Sequence, residues 1–317
     1  MRIESKRISV PEQSHGLRLD IFLTNRFTDF SRNEWQKRIE RRDITINGHA
    51  GRSSRKLNFG DIIEFSYEMP DEPEVPTNLE VIFEDEDYLV VNKPPGLPVH
   101  PSGIYKTQTV TELLKSRGLL KEGYLLHRLD RETSGVLALG KNRETAAAFQ
   151  KILRSGRVEK FYQVAVEGII SESLDARGYI YRVPTSRLSR RRSFSRSQPV
   201  GEALDVQTAW TEFFPVMSHQ GLTLLRARLH TGRMHQIRAT LYALGFPVVG
   251  DKLYGPDENL YFHFADDTMS EADWARLRIA RSALHCSEMV LSHPRTGALW
   301  SLKAVLPADI MSLFSAD

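Results

Sequence analysis

Asp130 sits between two arginines in His127-Arg128-Leu129-Asp130-Arg131-Glu132-Thr133-Ser134-Gly135, and the apolar run Val136-Leu137-Ala138-Leu139 follows directly. Thr133-Ser134-Gly135 reads as a tight turn and the apolar run as a buried strand. A carboxylate held in a loop against a buried strand, with cations beside it, is kept ionised and aimed, which suits attack on an electrophile. The same residues also suit an Arg–Asp ion pair on a surface loop. The loop alone leaves both readings open.

Two more stretches carry residues of this kind. In Thr231-Gly232-Arg233-Met234-His235-Gln236-Ile237-Arg238, continuing to Gly245, the residues Met234, Ile237, Leu241 and Leu244 follow helical spacing and predict a core stripe. Gly245 ends that helix and Pro247 prevents its continuation. Arg238, one position past Ile237, falls at the edge of the stripe, where a partly desolvated guanidinium requires a carboxylate. Any nearby acid would serve. Arg233 points elsewhere and suits a phosphate. In Lys160-Phe161-Tyr162-Gln163-Val164-Ala165-Val166, strand alternation puts Tyr162 on the side of Val164 and Val166. Its ring is then buried and its hydroxyl needs a partner, as in an ordinary core tyrosine too.

The rest of the chain must position these groups. Its 317 residues allow one large and one small domain, and 41% hydrophobic content is ordinary for a soluble protein. No apolar run is long enough to span a bilayer, the first residues lack a signal-peptide core, and Cys286 is the only cysteine. These features lead us to expect the reducing cytoplasm, with no membrane and no disulfide. Net charge is only +3, yet residues 16–66 hold ten Lys and Arg, and residues 57–92 hold none. Localised basic patches suggest local polyanion contact. The chain has no P-loop, dinucleotide glycine pattern, nucleophile elbow or metal-ligand spacing, so no cofactor and no metal are expected.

Pro70-Asp71-Glu72-Pro73-Glu74-Val75-Pro76 cannot form a sheet interior or a helix, and we read residues 70–78 as a linker between domains 1–69 and 79–317. Before it, Leu17–Leu23 starts an amphipathic helix, and Ser31 caps a second one with Glu34 at the capping-box position. Trp35 and Ile39 supply its apolar face. Ile44-Thr45-Ile46 alternates as a strand into the hairpin turn Asn47-Gly48. After the linker, strand-like runs and helical patterns do not alternate regularly. That predicts an α+β fold with a mixed, largely antiparallel sheet and flanking helices. The Ser/Arg-rich stretch 185–200 reads as a mobile basic loop.

Arg18-Leu19-Asp20, Ser31-Arg32, Asn47-Gly48 and Gly60-Asp61 resemble the S4 RNA-binding module. In place of the usual glycine before the strand stands Arg41-Arg42-Asp43. The resemblance implies a small α+β domain whose Arg32, Lys37, Arg38, Arg41 and Arg42 contact phosphates.

Residues 79–306 resemble the RluA-type pseudouridine synthases. The resemblance rests on Asn92-Lys93-Pro94-Pro95-Gly96-Leu97, His127-Arg128-Leu129-Asp130, Lys160-Phe161-Tyr162, Thr231–Arg238, Gly250-Asp251-Lys252-Leu253-Tyr254-Gly255 and Leu284-His285. It implies cofactor-free isomerisation of uridine in RNA to pseudouridine, with ribosomal RNA favoured over tRNA and no obligate protein partner. It further implies Asp130 as the essential acid, Arg238 as its partner and Tyr162 as a ring stacked on uracil. Leu284 would then pack near the base, and Arg128 would fill the gap left by a flipped-out uridine. His127 and Arg233 would be further substrate contacts. Gly201-Glu202-Ala203-Leu204-Asp205 departs from the family's usual Gly-Lys-x-Ala, which touches target choice and not the chemistry. A non-catalytic RNA-binding factor on the same fold is the alternative.

Overall fold

A computed structural model describes residues 2–27, 30–69, 71–184, 186, 188 and 191–315. They divide into two units. One runs to Glu74 and includes Pro101–Gln108; the other comprises Val75–His100 and the residues from Thr109 on. The segment Pro101–Gln108 belongs to the first unit because the Glu72 carboxylate accepts hydrogen bonds from the backbone N–H groups of Thr107 and Gln108.

The first unit contains β1 (Arg2–Ser9), α1 (Leu19–Arg26), α2 (Arg32–Glu40), β2 (Ile44–Ile46), β3 (His49–Ala50) and β4 (Ile62–Met69). Its strands pair antiparallel in the order β1-β4-β2-β3. Ser31 Oγ accepts from Glu34 N–H and so caps α2 as expected. Trp35 and Ile39 bury its apolar face against Leu19, Leu23, Ile44 and Ile63. Asn47 and Gly48 both have positive φ, the geometry of a tight hairpin turn. Arg42 takes φ +65°, so the left-handed exit of α2 is retained although an arginine makes it.

The second unit is built on an eleven-stranded sheet. Its elements are β5 (Glu80–Glu84), β6 (Tyr88–Lys93), α3 (Val110–Ser116), β7 (Tyr124–Leu125), β8 (Ser134–Gly140), α4 (Arg143–Arg154) and β9 (Glu159–Glu167). Then come β10 (Leu174–Arg182), β11 (Ser193–Ser195), β12 (Leu204–His219), β13 (Leu222–Leu229), α5 (Gln236–Ala243), α6 (Asn259–Ala265) and α7 (Glu271–Leu277). The chain closes with β14 (Leu284–Ser292), β15 (Leu299–Lys303) and α8 (Ala308–Met311). The strand order is β11-β10-β12-β13-β9-β14-β8-β6-β5, with β15 beside β14 and β7 beside β8. Among the described residues β14 and β8 alone pair in parallel, which makes the sheet mixed and largely antiparallel. Val136–Leu139 is fully buried in β8 at the centre of the core. No helix among the described residues is long and apolar enough to cross a membrane.

Three local expectations change. The helix expected from Arg233 starts only at Gln236, and Met234 is exposed outside the stripe. Gln236 is the cause: its side chain accepts from Thr231 Oγ1 and Arg233 N–H and donates to the Trp210 carbonyl and Thr211 Oγ1. These bonds hold the preceding residues in a turn, and His235 enters the helix at φ +57°. The stretch expected as a mobile basic loop contains β11, paired to β10, with Leu188 and Phe194 buried. Thr185, Arg187, Ser189 and Arg190 lie outside the described residues. Finally, β10 and β14 form where no strand was expected.

Candidate active site

The loop between β7 and β8 closes through Thr133 N–H donating to the Asp130 carbonyl, with Leu129 buried beneath it. This leaves the Asp130 carboxylate facing a cleft of about 570 Å³. Neither flanking arginine pairs with it. Arg128 is exposed at the rim, and Arg131 lies 3.7 Å from Glu132. The partner is Arg238, whose Nη1 donates to Asp130 Oδ2 at 2.8 Å.

Arg238 is itself held by a second acid. Its Nε and Nη2 donate to the two oxygens of Asp251 at 2.5 and 2.8 Å. Asp251 is fully buried, and its Oδ1 also accepts the N–H groups of Leu253 and Tyr254. The guanidinium fork is thus saturated on one side by Asp251 and aims its remaining nitrogen at Asp130. Burial alone would raise the Asp130 pKa; the Arg238 charge and hydrogen bond overcome it and hold the carboxyl below its ordinary range. Arg238 stays charged, because the carboxylates outweigh the effect of its burial. Sequence reasoning missed this role of Asp251. The one signal was an acid in Gly250-Asp251-Lys252-Leu253-Tyr254-Gly255, among apolar residues that bury it.

His235 Nε2 lies 4.0 Å from Asp130 Oδ2. Its Nδ1 meets the Tyr254 hydroxyl, which accepts from Arg192 N–H. Burial draws the imidazole down to about 4, so it is neutral near pH 7.

Tyr162 reaches the same cleft from β9 and is buried with Val164, as strand alternation predicts. Directly opposite it on β14 stands Cys286. Burial, reinforced by Cys286, pushes the phenol well above its usual value, so it remains protonated. Burial likewise pushes the Cys286 thiol to about 12, which makes it unreactive. Leu284, two residues earlier on β14, lines the cleft.

His127 also lines the cleft, but its Nε2 accepts the Ala138 N–H at 3.1 Å. Burial draws it down to about 3, so it supports the loop as a neutral ring. Arg233 stands in the cleft wall with Nε donating to the Thr208 carbonyl. The second unit therefore brings Arg128, His127, Asp130, Tyr162, Arg233, Arg238 and Leu284 into one cleft.

The basic residues of the first unit separate into two groups. Arg32 and Arg18 both donate to buried Asp20, as does Gln36. Arg38 lies over the Phe30 ring, 4.0 Å from its centroid. Arg32 and Arg38 thus have internal partners, while Arg32 remains exposed to solvent. Lys37, Arg41 and Arg42 are exposed.

An α+β sheet that presents one ionised carboxylate, a guanidinium clamp and a buried tyrosine in a nucleoside-sized cleft defines a class of carboxylate-dependent enzymes. Residues 87–243 match the family of RNA pseudouridylate synthases. The chain is 31% identical to an uncharacterized RNA pseudouridine synthase of Bacillus subtilis, YlyB, over 96% of both chains. It is also 31% identical to ribosomal large subunit pseudouridine synthase D of Haemophilus ducreyi, over 95% of this chain and 91% of that one. The human RNA pseudouridylate synthase domain containing 1 shares its fold with a TM-score of 0.57 at 23% identity, over 74% of this chain and 86% of that chain. The chain belongs to the RNA pseudouridine synthase family, and it is an isomerase that converts uridine in RNA to pseudouridine.

Proposed function

We propose that the target is a uridine of large-subunit ribosomal RNA and that Asp130 is the reacting carboxylate. The 2.8 Å contact from Arg238 to Asp130 carries the catalytic part of this reading. It keeps the acid ionised in a cleft that would otherwise protonate it. Similarity to proteins named ribosomal large subunit pseudouridine synthase D, over more than nine-tenths of both chains, supports the RNA class.

In this reading the uridine leaves its stack, which costs a few kcal/mol, and Arg128 enters the gap. Tyr162 stacks on the uracil, and its protonated phenol is available to relay a proton. Leu284 packs against the base. The C1′–N1 bond breaks, the base turns, and C5 bonds to C1′. Positive charge developing at C1′ is stabilised by the adjacent carboxylate. Arg233 meets backbone phosphate, and His127 steadies the loop. The N-terminal unit acts as an S4-like arm that contacts phosphates through Lys37, Arg41 and Arg42. An RNA substrate and one buried cysteine fit the cytoplasm.

The test is to map pseudouridine in bulk cellular RNA after incubation with wild-type protein or Asp130→Ala. Wild type should modify large-subunit ribosomal RNA. The variant should bind RNA equally well and form at least about a thousandfold less product. Product confined to tRNA would replace the proposed target. Equal product from the variant would remove Asp130 from the chemistry.

A further inference from the structure

Asp130 has its cation; among the described residues Lys160 has no anion. Lys160 precedes Tyr162 by two residues on β9, and the strand's burial pattern turns both side chains to the same face. Lys160 lines the cleft with His127, Tyr162, Gly232 and Leu284. Only 8% of it is exposed. Its ammonium rests against Gly232, where an added methyl group would sit 3.4 Å from Nζ.

No described carboxylate lies within ion-pair distance of this ammonium. Its ionisable neighbours offer no negative charge: His127 is neutral and the Cys286 thiol stays protonated. Asp130 and Asp251 are both committed to Arg238. Burial lowers the Lys160 pKa, which reflects an unmatched charge. A buried unpaired ammonium is costly, so a negative charge arriving beside it is strongly favoured.

The reaction supplies such a charge. When C1′–N1 breaks, its electron pair leaves with the base. Uracil then carries the negative charge over N1, O2 and O4 until C5 bonds to C1′; the C5 proton is then lost to solvent and N1 takes one up, so that pseudouridine is neutral. Attack at C1′, addition to the base and elimination all place negative charge on the uracil. The base belongs on the face shared by Tyr162 and Leu284, and Lys160 is on that face. Arg128 and Arg154, exposed at the rim, suit phosphates better.

We propose that Lys160 is a catalytic cation, donating to a carbonyl oxygen of the uracil as it becomes negative. This rests on the pseudouridine synthase reading and adds a second charged group to it, opposite in sign to Asp130.

Single-turnover rates at saturating RNA, measured beside RNA affinity at several salt concentrations, test it. Lys160→Met should slow the step about a hundredfold, the loss seen when one preorganised donor to a developing anion is removed. Its affinity and salt slope should match wild type. A lower affinity with a shallower salt slope and an unchanged saturated rate would make Lys160 a phosphate contact and overturn the proposal.

Lys160→Cys controls for packing within one polypeptide, because buried Cys286 does not react. Alkylation with 2-bromoethylamine restores an ammonium and should restore the rate; bromoethane adds similar bulk without charge and should not. Equal recovery with both reagents would reduce Lys160 to a filler of space. Wild-type protein that forms no pseudouridine would instead overturn the underlying reading, an outcome separable from all of these.

Discussion

At the residue scale, the site consists of charges that are matched, with one left over. Arg238 shares its fork between Asp251 and Asp130, and the geometry is asymmetric: two bonds fix it to the fully buried acid and one reaches the partly buried acid that faces the cleft. Asp251 is therefore a positioning residue, acting on the reaction only through Arg238. Asp251→Asn keeps the volume and removes the charge. It should destabilise the fold by about 3 kcal/mol, the lower end for a broken buried ion pair, since Asp130 remains as a partner. Misalignment of the guanidinium should lower kcat by about a hundredfold with little change in KM. Urea unfolding and steady-state kinetics on one preparation check both. A variant of full stability and normal kcat would show that Asp130 holds Arg238 without help.

At the element scale, the parallel contact between β8 and β14 assembles the cleft. Ser134 and Gly135 pair with His285 and Cys286 on β14, which brings the Asp130 loop beside Leu284 and beside Cys286, the strand neighbour of Tyr162. The approach is close enough to require glycine. A Cβ at Gly135 would stand 2.2 Å from the Cys286 carbonyl oxygen, and its φ of +109° disfavours any side chain. Gly135→Ala should therefore cost about 3–4 kcal/mol or more and reduce turnover, because β14 carries groups that touch the cleft. Thermal unfolding and pseudouridine formation measure this, and a neutral alanine would mean that β8 and β14 need not approach so closely. The buried run Val136–Leu139 was legible in the sequence, but the tight turn expected at Thr133-Ser134-Gly135 falls at Arg131-Glu132, because Ser134 and Gly135 already pair as part of β8, and the partner strand was not legible. Cys286-Ser287-Glu288-Met289 alternates too weakly to announce β14, whose register comes from β9 on one side and β15 on the other.

At the scale of the whole molecule, the chain divides into two units, and the cleft lies within the second. Arg32 stays exposed while bonded to Asp20, and α2 and its exit also expose Lys37, Arg41 and Arg42. Reversing these three to glutamate should weaken RNA binding and flatten its salt dependence by roughly 0.7 per lost phosphate contact on single-stranded RNA. The single-turnover rate at saturating RNA should be unchanged. Filter binding across a salt series, with rates measured alongside, separates the two effects. An unaltered salt slope would assign this surface a folding role.

Interactions within a few residues along the chain could be read directly from the sequence. These include the Ser31 cap, the Asn47-Gly48 turn, the buried run Val136–Leu139 and the placement of Tyr162 beside Val164. Chemistry also required a carboxylate for Arg238, since a half-buried guanidinium without one is unstable. The residue chemistry did not say which; the family resemblance pointed to Asp130, 108 residues away, and only the tertiary structure added Asp251, 13 away. It likewise set Tyr162 opposite Cys286, gave Arg32 to Asp20 and left Lys160 with no acid among the described residues. Local backbone preference is set by the residue and its near neighbours, whereas the partner of a buried charge depends on which strands and helices pack around it.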